Sequence, residues 1–134
     1  MASPRTWLRA WLPAVAYMAL IWALSSISQP PSTGGVPFKD KGAHAIEYGG
    51  LAVLSARGMA ATFVPGAGLR LAVYNITFGS FWGLTDEIHQ AYVPGRSSEV
   101  ADVGADVVGA VLGTAAYLLW RRRRRDTDTA EPPA

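Results

Sequence analysis

The chain has 134 residues, of which half are hydrophobic and only 16% are charged. Soluble domains carry about a quarter charged residues, so this composition favours a small membrane protein of one domain. The apolar content also excludes disorder of the whole chain. The chain contains no cysteine, which excludes disulfides, thiolate metal sites, iron–sulfur clusters and a cysteine nucleophile.

Four largely apolar segments, separated by turns rich in Pro, Gly and Ser, predict four helices. The predicted helices lie at about 7–26, 40–63, 69–92 and 99–120. Each has about the 20 residues that one bilayer span needs. We therefore predict an all-α membrane protein, a bundle of four transmembrane helices in a single domain over residues 1–125. The polar segment 126–134 is predicted to be a disordered cytoplasmic tail.

Two alternatives compete with this interpretation. The first segment could be a signal peptide, because Arg5 and Arg9 precede its apolar middle, but the following SSISQPP has no A-x-A-like cleavage site. The chain could also be a soluble four-helix domain, since the charges of the second and fourth segments lower their hydropathy. We favour four spans because 69–85 and 107–120 have no polar face wide enough for water. A helix that is apolar all round is buried in protein or lipid.

The basic residues are distributed unevenly between the two ends of four alternating spans. Nine lie on the side of the two termini: Arg5, Arg9, Arg57, Arg70 and Arg121–Arg125. Three lie on the other side: Lys39, Lys41 and Arg96. Basic residues favour the cytoplasm, so we expect both termini inside and the loops at 26–40 and 92–99 outside. The run of five arginines directly after a span is typical of a topology anchor on anionic lipid, and we predict no nucleic-acid partner.

This topology places nearly all ionisable groups other than arginine in one layer near the outer ends of three helices. The layer contains Asp40, Lys41, His44, Glu47, Tyr48, Asp86, Glu87, His89, Gln90, Arg96, Glu99, Asp102 and Asp106. Helical spacing puts Asp40, His44 and Tyr48 on one face of the second helix. Charges at membrane depth are costly unless they face a bundle interior or water, so the layer predicts a functional site.

For the outermost residues of the layer, a solvated helix end is an equally good or better explanation. Asp40, Lys41 and Glu99 lie where water reaches them, and an acid near a helix N-terminus is favoured by the helix dipole. This explanation is weaker for the residues that lie a turn or more inside the helices.

Asp86 and Glu87 are the acids that a solvated helix end explains least. They lie at the C-terminal end of their helix, where the dipole disfavours negative charge, so they need a cation. Lys41 and Arg96 are the candidates, and the VPG turn before Arg96 can reverse the chain. We predict a bidentate pairing of Arg96 with these two carboxylates.

Small residues recur at intervals of four in the third and fourth helices. They are Gly79, Gly83, Ala101, Ala105, Gly109 and Gly113. Such spacing lets helix backbones approach closely in lipid, so we predict tight packing along these faces.

Three motifs of the layer occur in a fixed order along the chain. They are Asp40-Lys41-x-x-His44-x-x-Glu47-Tyr48, Asp86-Glu87-x-x-Gln90-x-Tyr92-x-Pro94-x-Arg96 and Asp102-x-x-x-Asp106-x-x-Gly109. Together they resemble the VanZ-like family of small membrane proteins over about residues 12–120. The resemblance implies four or five transmembrane helices, and the family is named after a member associated with resistance to the glycopeptide teicoplanin. Asp106 departs from the family's pattern, where Asn is usual, and adds negative charge to the layer.

The layer predicts binding of, or action on, an anionic lipid-linked or cell-envelope substrate at the outer face of the plasma (inner) membrane. Lys41 and Arg96 would bind phosphate or carboxylate, and His44 would serve as general acid or base. Asp86 and Glu87 would orient Arg96 or hold a divalent cation. The candidate catalytic residues are His44, Asp86, Glu87 and Arg96. The candidate substrate-binding residues are Lys41, Glu47, Tyr48, Gln90, Asp102 and Asp106.

The sequence has no nucleophile elbow, phosphate-binding loop or zinc signature. It therefore assigns no cofactor and no metal ligand, and it leaves open whether the protein is an enzyme. The alternative is a non-catalytic small subunit or assembly factor that associates with other membrane proteins, its polar layer locking the helices together. Proton or solute movement ranks last, because the inner halves of the third and fourth helices carry no acidic residue and no histidine.

Overall fold

The computed structural model describes residues 3–28, 39–64 and 68–130. Within these ranges the chain forms helices and no strand, which confirms the predicted all-α fold. The helices are α1 (Pro4–Ser25), α2 (Lys39–Thr62), α3 (Gly68–Gln90) and α4 (Val100–Ala130). The bounds of α1, α2 and α3 lie within three residues of the predicted ones.

The helix α4 continues to Ala130, well beyond the end near Trp120 that the sequence suggested. Arginine is a good helix former, and no Gly or Pro interrupts the segment after Trp120 until Pro132. Most of the segment predicted as a disordered tail is therefore helical, and residues 131–134 lie outside the described part of the chain.

Two of the four helices are long and apolar enough to cross a membrane, namely α1 and the Val100–Thr127 part of α4. Only 22% and 33% of their most apolar stretches are buried inside the protein, unlike the core helix of a soluble domain. Contrary to the expectation that its charges would make α4 score poorly on hydropathy, α4 is apolar enough to span a membrane, because the stretch between Asp106 and Arg121 carries no charge. Among the described residues, α2 and α3 contain no stretch that is equally apolar over the length of a membrane span.

Close backbone contact joins α2 to α4, the most extensively packed pair of helices. A Cβ atom at Gly109 would collide with the carbonyl oxygen of Ala45, and one at Gly113 with that of Gly49. On the other side of α4, a Cβ at Gly79 would lie 3.0 Å from the Cβ of Ala110. The predicted close packing along the small-residue faces is thus confirmed for these positions.

The helix α1 packs on the opposite side of α2 and, among the described residues, makes no contact with α4. Two glycines of α2 make room for aromatic rings of α1, Gly50 for Tyr17 and Gly58 for Trp11. The indole Nε1 of Trp11 donates a hydrogen bond to Thr62 Oγ1 at 3.0 Å. The start of α1 therefore meets the end of α2, as antiparallel neighbours require, and α2 lies at the centre of the bundle.

A polar network crosses the middle of the bundle. Asn75 is fully buried on α3, and its Nδ2 donates to the carbonyl of Ala52 and to Thr114 Oγ1, both at 2.8 Å. Its Oδ1 accepts the hydroxyl of Ser55 at 2.7 Å. Each polar atom of the Asn75 amide has a partner, so the network ties α2, α3 and α4 together without an unpaired group.

Candidate functional site

The end of the bundle beyond this network gathers polar side chains from every helix. We call it the polar cluster and define it by Ser25, Lys41, His44, Asp86, Glu87, Gln90, Arg96, Glu99, Asp102 and Asp106. Four of its five acids are buried, namely Asp86, Glu87, Asp102 and Asp106, whereas Glu99 is exposed. The structure thus brings together the three motifs that are far apart in the sequence.

One half of the polar cluster joins the first turns of α2 and α4. Lys41 Nζ lies 2.7 Å from Asp102 Oδ1 and 2.9 Å from Glu99 Oε2. One turn further along both helices, His44 Nδ1 lies 2.9 Å from Asp106 Oδ1. The spacing of Asp102 and Asp106 by one helical turn thus matches the positions of their two partners on α2.

The other half of the polar cluster joins the ends of α1 and α3. Asp86 Oδ1 accepts the hydroxyl of Ser25 at 2.6 Å, and its Oδ2 accepts Gln90 Nε2 at 2.9 Å. Nearby, His89 stacks on Trp22, with ring centroids 4.0 Å apart, and its Nε2 lies 2.9 Å from Ser26 Oγ. Ser25 was missed in the sequence because one serine at a helix end gives no periodic signal.

The predicted pairing of Arg96 with Asp86 and Glu87 is wrong. No ion pair joins them within the described ranges; instead Arg96 donates to the carbonyls of Leu24 at 2.8 Å and Ile27 at 3.3 Å. The carbonyl of Leu24 lies in the last turn of α1 and that of Ile27 just beyond it, where carbonyls are not used by the helical hydrogen-bond ladder, and they compete with the acids for the guanidinium. Its Nη1 also donates to the amide oxygen of Gln90, at 3.4 Å.

The turn before Arg96 explains this direction. Val93 to Arg96 form a β-turn closed by a hydrogen bond from Arg96 N to Val93 O at 3.1 Å. Gly95 has a φ of 80°, which follows Pro94 as a type II turn requires. The turn therefore reverses the chain as predicted, but it directs Arg96 towards α1 and not towards the acids of α3.

Glu87 is stabilised in a way that the sequence did not suggest. Its Oε1 accepts the backbone N–H of Glu99 at 2.6 Å, just before α4 begins. The carboxylate thus opposes the dipole of its own helix but lies at the positive N-terminal end of the next one. Lys41, the other predicted cation for this acid, is paired with Glu99 and Asp102.

The remaining predicted site residues lie on α2. Glu47 is half-buried, and Tyr48 is fully buried in an apolar cluster with Ile21 and Leu51. The side chain of Asp40 lies outside the described part of the structure.

Four buried polar side-chain atoms have no hydrogen-bond partner in the part of the chain that the structure describes. Two are the donors Tyr48 Oη and Trp82 Nε1, and two are the acceptors Glu87 Oε2 and Asp106 Oδ2. An unpartnered buried polar group costs about 1–3 kcal/mol, and such groups are normally satisfied by water or by a ligand. Of the four, Glu87 Oε2 and Asp106 Oδ2 belong to the polar cluster, where water or a ligand can satisfy them.

Three side chains of the polar cluster are placed to hold a metal ion. His44, Glu87 and Asp102 each offer one ligand atom, and these atoms lie within 4.8 Å of one another. They come from α2, α3 and α4, so no short sequence motif could have indicated the grouping.

The described residues form helices only, two of them apolar and of membrane-spanning length, with a buried polar cluster at one end, which is typical of a small helical membrane protein. The family model for VanZ/LLP1 matches residues 6–121. The chain therefore belongs to the VanZ/LLP1 family, which confirms the resemblance noted in its motifs. Comparison with curated proteins and with solved structures finds no match to the chain.

Proposed function

We propose that the protein crosses the membrane four times, with both termini in the cytoplasm and the polar cluster at the outer face of the plasma membrane. The outward faces of α2 and α3 support this, since they carry exposed apolar side chains such as Ile46, Val73, Phe81 and Ile88. Lipid is the environment in which such faces are stable. The nine-to-three distribution of basic residues supports the orientation.

We further propose that the polar cluster binds, or acts on, an anionic lipid-linked component of the cell envelope. The observation that carries this is the His44–Asp106 pair, joined at 2.9 Å with the acid buried. A carboxylate bound to one imidazole nitrogen orients the ring and leaves the other nitrogen to act as a base or acid. The family's association with glycopeptide resistance agrees with an envelope substrate.

Lys41 supplies the charge that an anionic group would meet at the edge of the cluster. Its side chain is 30% exposed, and the structure gives its ammonium two acceptors, whereas an ammonium has three N–H donors. Arg96 takes a supporting role in this proposal, because its bonds to Leu24 and Ile27 hold the turn against α1.

A non-catalytic small subunit or assembly factor is the second candidate. It is favoured by the observation that Lys41, His44 and Arg96 all have acceptors within the chain. A cluster of this kind can fix the helices relative to one another without binding anything else.

Profiles of membrane lipids and envelope precursors test the two candidates. Cells that lack the protein would be compared with cells that express the wild type, His44→Gln or His89→Gln, the last changing a histidine outside the His44–Asp106 pair. We expect the wild type and His89→Gln to restore the profile and His44→Gln to fail at equal abundance in the membrane. An identical profile in all strains would contradict the envelope substrate and favour the structural role.

A further inference from the structure

We propose that His44, Glu87 and Asp102 bind a divalent transition-metal ion at the centre of the polar cluster, with Asp106 as the residue that positions His44. The three ligand atoms lie within 4.8 Å of one another. An ion with bonds of about 2.0–2.2 Å in tetrahedral geometry holds its ligand atoms about 3.4 Å apart. Side-chain movements of about 1 Å therefore close the site.

One ring nitrogen of His44 has a carboxylate partner, as is usual for metal-binding histidines. His44 Nδ1 lies 2.9 Å from Asp106 Oδ1, which leaves Nε2 to bind an ion. Metal-bound histidines almost always donate their second ring N–H to a carboxylate, a carbonyl or water. Asp106 is 1% exposed, so it is held where it can perform this role.

Glu87 supplies an observation that is independent of the grouping itself. The residue is only 4% exposed, and its Oε1 is used by the backbone N–H of Glu99. Its Oε2 is buried and has no partner among the described residues. A buried carboxylate oxygen without a donor is costly, and a cation next to it removes that cost.

Asp102 can serve two cations because it has two oxygens. Lys41 Nζ takes Oδ1 at 2.7 Å, and in the proposed site Oδ2 would be the ligand atom. The ammonium would repel a metal, but Glu99 lies 2.9 Å from it and reduces the effective charge. Lys41 thus fixes the orientation of Asp102 without using the whole carboxylate.

The charges of the cluster also favour a cation. Four carboxylates are buried there: Asp86, Glu87, Asp102 and Asp106. Of these four carboxylates, only two form an ion pair within residues 3–28, 39–64 and 68–130: Asp102 pairs with Lys41, and Asp106 pairs with His44. A divalent ion bound to Glu87 and Asp102 would balance this excess, since buried charges are normally paired or bind metals.

The ligand set indicates the class of metal. One imidazole with two carboxylates suits Zn²⁺ or Mn²⁺ better than Mg²⁺ or Ca²⁺, which prefer oxygen ligands alone. Three protein ligands leave a coordination position open, as in catalytic and not in structural zinc sites. An anionic oxygen from outside the chain can occupy that position. The proposal stands on the ligand geometry and does not depend on the substrate proposed above. It replaces the acid–base role of His44, because an ion bound to Nε2 occupies the nitrogen that would otherwise carry the proton.

Metal content of the purified full chain tests the site. The protein would be isolated in detergent through a tag without histidine, loaded with Zn²⁺ or Mn²⁺, desalted and analysed by mass spectrometry for metal. We expect one ion per chain for the wild type. His44→Gln, Glu87→Gln and Asp102→Asn should each lower the affinity at least tenfold, whereas His89→Gln, which changes the other histidine of the chain, should not.

Spectroscopy on the wild type keeps the test decisive if those variants do not fold. Electron spin-echo measurements on the Mn²⁺-loaded protein should show nitrogen-14 modulation from one imidazole, and His89→Gln should retain it. Asp106→Asn should weaken binding by about 10–100-fold and change the d–d spectrum of bound Co²⁺, a change that loss of stability alone would not produce. No bound metal in the folded wild type, no nitrogen modulation, or equal loss of metal in His89→Gln would overturn the proposal.

Discussion

Gly113 of α4 offers the sharpest test of the packing that holds the bundle together. Replacing it with alanine adds a Cβ that would overlap the carbonyl oxygen of Gly49 and approach the Cβ of Ala52 to 3.0 Å. Gly104 lies on the same helix, and a Cβ there meets nothing within 4 Å. The same substitution at Gly104 therefore provides a matched control.

The expected magnitude follows from the two opposing effects of an added methyl group. Overpacking costs about 1–3 kcal/mol, and the upper half of that range applies at Gly113 because backbone atoms of α2 cannot rotate away. The better helix propensity of alanine offsets about 0.5–1 kcal/mol of this cost. We therefore expect Gly113→Ala to lower the free energy of unfolding by about 1–2.5 kcal/mol. Gly104→Ala should leave it unchanged or raise it by up to about 1 kcal/mol.

Reversible unfolding in mixed detergent and dodecyl sulfate micelles, followed by circular dichroism, measures both variants. The wild type and the two alanine variants would be compared at one protein concentration and one lipid-to-detergent ratio. If Gly113→Ala is as stable as Gly104→Ala, then α2 and α4 are not in close backbone contact and the packing described above is incorrect.

Three further predictions concern the network, the turn and the topology. Asn75→Ala should lower the free energy of unfolding by about 2 kcal/mol, because it leaves buried groups unpaired; an unchanged unfolding curve would exclude the network. Arg96→Ala should cost about 1 kcal/mol, and Asp86→Asn should not restore the loss in a double variant; full restoration would revive the direct ion pair. In cells, a single cysteine at Ser97 should react with an impermeant reagent without lysis and one at Thr129 only after lysis, free of background because the chain has no cysteine. The reverse pattern would invert the proposed orientation.

The helices and the small-residue packing were predictable because each depends on a repeated signal. The apolar segments repeat over many residues, and Gly109 and Gly113 recur one helical turn apart. Their contacts with α2 follow from the need to bring two backbones together. The end of α4 was less predictable, because the apolar stretch ends at the arginines, whereas the helix propensity of the residues stays high beyond them.

Partners within the polar cluster were predictable only in part. The sequence placed the acids and bases in one layer, but the choice among several partners at similar distances depends on where each chain segment ends. Arg96 bonds to the carbonyls at the end of α1, and Glu87 to the N–H at the start of α4. Every helix has such backbone groups at its ends, so the positions of charged residues in the sequence do not show which of them a side chain will bind.

Asn75 shows the same limit for the core. A single amide in a long apolar segment forms no motif, and its partners Ser55 and Thr114 lie on two other helices. Only the packing of all three helices shows that these groups satisfy one another.

The length of α4 has a consequence for the depth of the polar cluster. At about 1.5 Å per residue the stretch from Val100 to Trp120 is about 31 Å long, close to the ~30 Å of a bilayer's hydrocarbon core. The arginines that follow continue the same helix, and Arg124 lies over the ring of Trp120 at 4.8 Å. If α4 moved along its axis by one turn towards Asp102, an arginine would enter the hydrocarbon. If it moved one turn the other way, Asp102 would enter the hydrocarbon more deeply. In the membrane arrangement proposed above, the basic end of α4 would therefore fix the depth at which the carboxylates at its other end lie.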